Sequence, residues 1–287
     1  MSKRRGGLIG VNPSPAASGI SSSAGGIWSL PEAESLKRAG TWPSAPYWHD
    51  NLTARWCPSL DSSGNGTTTV YNIDKSGNQI GSGNFTLTNM DAATDWVADT
   101  VSGGVRAIDF DGSNDYLTGS TTLGNFGTAD FSICLWAKLP NSDAYASIVS
   151  KRQTSGSFQQ WQLNHGTGSA AGGTASKRIS WVAYTGTWQI YYTSTDVADG
   201  NWHHIAVTKT SGSAPLIYVD GVAAAVTVGS ANTTNLNTNS TTALEVGRVN
   251  ADVQYASMRW DDMMLFSVAK SAGDIATIAA ARGILAT

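Results

Sequence analysis

From about residue 50 onward, apolar and polar positions alternate in short runs separated by turn residues, the period of strands with one buried face. FSICLWAKL (131–139) sets Phe131, Ile133, Leu135 and Ala137 against Ser132, Cys134, Trp136 and Lys138. VRAIDF (105–110) alternates in the same way before the turn DGSN. RISWVAY (178–184) and WQIYYTS (188–194) flank Thr185-Gly186-Thr187, a hairpin with a three-residue glycine loop. WHHIAVTKT (202–210), PLIYVD (215–220), ALEVGR (243–248) and WDDMMLFS (260–267) continue the series. Short strands at this spacing predict an all-β fold, a jelly-roll β-sandwich of two antiparallel sheets over residues 50–287.

Two segments carry the helical period instead. In SAGDIATIAAARG (271–283), Ile275, Ile278 and Ala279 share a face and Gly283 supplies a stop, so the sandwich is expected to end in a short helix. In GIWSLPEAESLKRAGTWP (26–43), Ser29 and Glu32 form a capping box, Pro31 fits a first turn, and Gly40 suits the C-terminal cap. That predicts one helix over about 30–39, within an otherwise extended arm of residues 1–49 whose first 26 positions are rich in Gly, Ser, Pro and Ala. A helix this short is marginal alone. Trp28, Leu30, Leu36 and Trp42 need a surface to cover them, either on the chain's own domain or on a partner. Arg4 and Arg5 would then be an electrostatic toe-hold, or simply a solvated end.

Composition narrows the classes. Of 287 residues, 41% are hydrophobic, enough for one large core. Only 14% are charged, against roughly 25% in ordinary soluble domains, and Thr, Ser, Asn and Gly take up the difference. Glu32, Glu34 and Glu245 are the only glutamates, which disfavours helix further. A net charge of −3 provides no basic field for nucleic acid. No apolar run reaches the roughly 18 residues of a membrane span, and the start lacks the apolar stretch of a signal peptide. Cys57 and Cys134 show no paired spacing; reduced, buried thiols are expected, with a disulfide as the alternative.

Two stretches invite a chemical reading. DFDGSND (109–115) gathers Asp109, Asp111, Asn114 and Asp115. It is no EF-hand: counted from Asp109, the glycine comes two places early and the twelfth position is Ser120. A polar turn is the expectation, with a metal site on Asp109, Asp111 and Asp262 as the alternative. The hairpin RISWVAYTGTWQIYYT offers Arg178, Trp181, Tyr184, Trp188, Tyr191 and Tyr192, and Trp161 precedes it in FQQWQLNH. Exposed aromatics beside hydrogen-bonding groups suit the apolar faces and hydroxyls of sugars, but in a sandwich half of these side chains must face inward. His203 and His204 are neighbours on a strand and point to opposite faces.

Several of these segments, in order, resemble the laminin-G-like, concanavalin A-like lectin/glucanase superfamily. GGVRAIDFDGSNDYL resembles a hairpin of that family, FSICLWAK one of its core strands, and NWHHIAVTKTSG with LIYVDG its most specific strand pair. LTARWCPSLDSSGNGTTT is similar to its opening strand and turn, and DDMMLFSVAKSAGDIATI to its closing strand and helix. The resemblance implies a concanavalin A-like jelly roll, and a structural Ca²⁺ where the N-terminal region meets the last strand, at Asp261 and Asp262. No other cofactor is implied. The catalytic E-x-D-x-x-E of the glucanase branch is absent: residues 243 and 247, two either side of Glu245, are Ala and Gly. A non-catalytic polysaccharide binder is therefore expected, with an atypical glycosidase as a third choice. Separately, GIWSLPEAESLKRAGTWP (26–43) resembles a segment near the start of structural proteins of marine tailed phages. That resemblance implies a virion component, multimeric on a fibre, tail or head surface, with residues 1–49 contacting other virion proteins and the sandwich facing host or environmental polysaccharide. A purely structural decoration or tail-adaptor protein is the alternative.

Overall fold

In the computed structural model the described residues are 49–60, 66–99, 105–152, 160–167, 174–184, 186–230, 237–249 and 254–281. The arm and its expected helix, with Arg4, Arg5, Trp28, Leu30, Leu36 and Trp42, lie outside them. The strands are β1 (Leu52–Trp56), β2 (Thr69–Val70), β3 (Phe85–Thr88), β4 (Trp96–Asp99), β5 (Val105–Asp111), β6 (Tyr116–Thr118), β7 (Phe131–Lys138) and β8 (Ala146–Ser150). They continue with β9 (Gln160–Thr167), β10 (Thr174–Tyr184), β11 (Trp188–Thr193), β12 (Trp202–Lys209), β13 (Leu216–Val219), β14 (Val222–Ala223), β15 (Val226–Ser230), β16 (Glu245–Val246) and β17 (Ser257–Phe266). One helix, α1 (Ala272–Ala280), follows.

Every pairing among these strands is antiparallel, as the alternation requires. One sheet runs β14-β13-β12-β7-β17-β5-β4, with β1 also on β17; the other runs β15-β11-β10-β9-β8-β16-β6-β3-β2. Their inner faces share one apolar core. Ile133, Leu135 and Ala137 of β7 point into it, as the sequence pattern demanded. Aromatic pairs tie the two layers: Phe131 of β7 lies 5.6 Å from Trp181 of β10, which stacks on Trp161 of β9 at 5.2 Å. At the other end Phe85 of β3 sits between Trp56 and Trp260, at 4.5 and 6.2 Å.

Strand β17 is the centre of the first sheet and changes partner along its length. Residues Ser257 to Trp260 pair with β5, while Met263 to Phe266 pair with β1. At the changeover β17 carries one extra residue relative to β7, between Asp261 and Met264, and Asp262 adopts a φ of 46°. An aspartate tolerates that left-handed backbone better than the apolar residues around it would. Helix α1 opens with a capping box, Ser271 and Asp274 each bonding the other's backbone N–H, and buries Ile275 and Ile278. It ends at Ala280, earlier than the expected stop at Gly283, which lies outside the described residues. Cys57 and Cys134 are free and buried, and burial pushes both thiols up.

The two histidines do face opposite ways. His204 is fully buried, its ring 5.7 Å from that of Trp136, and neither ring nitrogen has a hydrogen-bond partner. Burial lowers its pKa to about 4, against the opposing pull of Asp262 and Asp220. The folded value lies below the unfolded one, so protonation favours the unfolded chain. Stability is complete above about pH 6.5 and falls as the pH drops toward 4, by on the order of 3 kcal/mol from this group. Urea titrations at neutral pH and near pH 4 should show that loss in the native protein, and His204→Phe should remove most of it.

Candidate functional site

The outward face of the second sheet collects polar and aromatic side chains. On β10 the period of two sends Ile179, Trp181 and Ala183 into the core and turns Arg178, Ser180, Val182 and Tyr184 outward. Register then aligns outward neighbours across strands: Tyr184 with Trp188, Val182 with Ile190, Ser180 with Tyr192, Gln162 with Val182, and Asn164 with Ser180. Tyr184 and Trp188 pack at 4.9 Å, and the Arg152 guanidinium lies 5.5 Å from the Trp188 ring. Two turns of the pleat away, Arg178 lies 5.6 Å from the ring of Tyr192. Tyr184, Trp188, Tyr192 and Arg178 are all half-buried.

Between these two stacked pairs runs a buried polar row. Gln162, Asn164 and Ser180 are each at most 2% exposed. The Gln162 amide nitrogen donates to the Tyr145 hydroxyl at 3.1 Å, while Gln162 Oε1 and Asn164 Oδ1 accept from nothing. A third stacked pair lies further along the face, Arg248 over Tyr116 at 3.4 Å, but both oxygens of Glu245 hold that guanidinium, at 2.8 and 3.1 Å. Flat rings flanked by fixed donors can hold a sugar by its C–H face and its hydroxyls together.

Three of the expected sugar-binding residues are not on this face. Trp161 and Trp181 are fully buried and Tyr191 is 4% exposed. All three belong to the core, because they share the strand parity of Leu163, Ile179 and Ala183. A ligand in solvent cannot reach them. Conversely, Arg152 follows β8 in an irregular stretch with no periodic signal, and only the tertiary structure brings it to Trp188.

The acidic residues divide. Asp111 closes a turn: its Oδ1 accepts from the backbone N–H of Ser113 at 2.7 Å and of Asn114 at 3.4 Å, and the Ser113 bond leads in holding its carboxyl below the usual range. Asp115 accepts from the Asp111 N–H at 3.0 Å. Asp109 faces Arg259 at 3.5 Å. Asp262 is elsewhere, several residues further along β17, where Arg55 grips both its oxygens at 2.7 and 2.8 Å with neither side chain exposed. Asp261, beside it, accepts from the Ser59 N–H at 3.2 Å. Asp109, Asp111 and Asp262 therefore do not converge, and no group of three metal-ligating side chains occurs among the described residues. The junction of β1 and β17 does not fit a Ca²⁺ either, because a guanidinium already occupies both oxygens of Asp262.

His203 borders a groove of about 440 Å³ that Lys177, Asp196, Asp199 and Val222 also line. Its Nδ1 is 2.8 Å from Asp220 and its Nε2 3.1 Å from Asp199. Burial alone would lower its pKa, but the two carboxylates outweigh it and raise it. The bonds tie the start of β12 to the β13–β14 turn, a structural role.

Comparison with known proteins agrees with this architecture. The family model of the concanavalin A-like lectin/glucanases superfamily matches residues 111–276, more than half of the chain. No curated protein matches the sequence. Among solved structures, the binding domain of Paraclostridial mosquitocidal protein 1 is similar at 14% identity and a TM-score of 0.57, covering 81% of this chain and 52% of that one. The binding domain of botulinum neurotoxin DC, in complex with SialylT, gives 12%, 0.55, 81% and 52%. Domain 4 of an extracellular GH43 arabinanase from Geobacillus stearothermophilus, in complex with arabinotriose, gives 14%, 0.51, 80% and 98%. The chain thus spans about half the length of the two toxin domains and nearly all of the arabinanase domain. At such identities the likeness is one of fold, and together with the family match it places the chain in the concanavalin A-like lectin/glucanases superfamily.

Proposed function

We propose that this protein binds polysaccharide without cleaving it, on the outward face of the second sheet. The observation that carries the reading is the pairing of Trp188 with Tyr184, and of both Trp188 and Tyr192 with arginines, in side chains of this face that remain half-buried. The likeness to a domain solved with arabinotriose and to a toxin domain solved with SialylT supports it at the level of fold. Retaining glycoside hydrolysis needs two carboxyl groups about 5 Å apart, one of them free to act as nucleophile. Glu245, the only glutamate after residue 34, has both oxygens held by Arg248.

The finer reading is a bacteriophage virion protein whose arm, residues 1–49, anchors the sandwich to a fibre, tail or head through Trp28, Leu30, Leu36 and Trp42. It is supported by the likeness of residues 26–43 to segments of phage structural proteins. A panel of neutral and acidic polysaccharides, tested against the full chain with calcium and again with EDTA, checks the first reading. Binding indifferent to EDTA is the expected result, and failure to bind any polymer would leave only a structural role. Deleting residues 1–49 should abolish incorporation into particles while sugar binding persists; unchanged incorporation would refute the anchor.

A further inference from the structure

We infer that the groove bordered by His203 is a second binding site, separate from the sheet face, and that it holds one neutral sugar residue by its hydroxyls. At about 440 Å³ it falls within the roughly 300–1,000 Å³ of small-molecule sites. It is open to solvent: Val222 is 70% exposed, and the side chains of Asp196 and Asp199 are 66% and 50% exposed. One wall is aliphatic, Val219 of β13 with Val222 and Ala223 of β14, and suits the C–H face of a sugar ring. Asn141, Lys177, Asp196, Asp199 and His203 supply the polar lining. Lys177 makes no ion pair among the described residues, and the Asp196 carboxylate has only a 3.8 Å contact with Arg178. Cations and carboxylates line the groove together, so an ion of either sign gains little net attraction. Hydroxyls are served by both, since they donate to carboxylates and accept from ammonium and amide groups.

Asp199 is the fixed acceptor of the site. Its Oδ1 accepts from the Asn201 backbone N–H at 2.7 Å and from His203 Nε2 at 3.1 Å, and its Oδ2 from the Asn201 amide at 2.9 Å. A carboxylate has about four acceptor positions, so three bonds orient it and leave one for a ligand hydroxyl. The Asn201 amide leads in pulling its pKa down to about 2, which keeps it ionised. His203 is a positioning residue. Carboxylates only accept, and its two nitrogens face Asp199 and Asp220, so both carry protons. The charged groups about the ring are Asp199, Asp220 and, along the groove, Lys177 and Asp196; its partner on β7 is the uncharged Ala137. When the imidazolium loses a proton at alkaline pH, the longer bond, to Asp199, is the one released.

The test follows the methyl signals of Val222 and Ala223 by NMR in the full chain. Methyl glycosides of neutral hexoses and pentoses, methyl glucuronide and glycerol are titrated in turn. At least one neutral glycoside should saturate the shifts with a Kd of about 1 mM or tighter, and glycerol should bind at least about tenfold more weakly. The glucuronide should bind no more tightly than its neutral counterpart. Asp199→Asn should weaken the glycoside about tenfold, and Ala223→Phe, which fills the groove, should abolish its binding. Affinity should fall severalfold between about pH 6 and pH 9, and His203→Gln should bind weakly with a flat profile. Trp188→Ala should leave the groove unchanged, so its failure and that of the sheet face are told apart. The inference is overturned if no glycoside shifts these signals or glycerol matches the glycosides. It is equally overturned if binding survives both Asp199→Asn and Ala223→Phe.

Discussion

Arg55→Met is expected to cost the sandwich about 3–5 kcal/mol of stability, because it strands a carboxylate inside the protein. The pair it breaks joins β1 to the bulge of β17, bidentate at 2.7 and 2.8 Å, with no exposed surface on either side chain. Both ions are desolvated, so the attraction between them roughly offsets the burial of each, and removing one partner leaves the other's cost uncompensated. Urea unfolding should show the loss directly. Adding Asp262→Asn to Arg55→Met should recover part of it, because an amide is cheaper to bury than an ion and asparagine tolerates the φ of 46°. Two single losses that simply add would contradict the pairing. Calcium and EDTA should leave the native midpoint unchanged, since the guanidinium provides the positive charge at that junction.

The second large effect separates tryptophans that look alike in sequence. Trp181→Ala and Trp161→Ala should each destabilise by about 3–5 kcal/mol, because each empties a large volume from the aromatic stack that joins the two sheets. Trp161 also loses a 2.9 Å bond from its indole N–H to the Gly124 carbonyl. Trp188→Ala removes a half-buried ring from the outward face and should cost less than about 1 kcal/mol, while weakening polysaccharide binding. Thermal melts of the three variants beside a binding assay distinguish the roles. A Trp188 variant that unfolds as readily as the Trp181 one would return that residue to the core.

The same contrast shows what was legible in the chain. Period-two patterning revealed the long strands, because β7 and β12 each set apolar residues of one parity against more polar ones of the other, although most residues of both parities are buried. Within RISWVAYTGTWQIYYT it also separated the two parities, but both parities hold aromatics, so hydrophobicity could not say which faced the core. Only the position of the opposite sheet decides that. Strands of two to four residues, such as β2, β3 and β16, are too short to show any period, and they form because neighbouring strands offer them unpaired edges. The Asp111 turn was readable because its bonds span two or three residues. The partner of Asp262 is 207 residues away, a distance at which local pattern carries no information. The two aspartates inside WDDMMLFS did mark something, the bulge, but nothing in the sequence named Arg55.

Strand β17 has a consequence for the birth of the protein. Among the described strands it is the last to leave the ribosome, yet it belongs between β7 on one side and β5 and β1 on the other. Until it emerges, the first sheet exists only as separate pieces, each with an open hydrogen-bonding edge beside a half-formed core. The sheet is therefore completed only once β17 has emerged, and the closure joins residues from the two ends of the domain, a slow class of search. A nascent chain interrupted before Ser257 has no stable state to fall back on and is exposed to aggregation and proteolysis. The order of strands along the chain thus acts as a check on completeness, since only a full-length domain can close its own sheet.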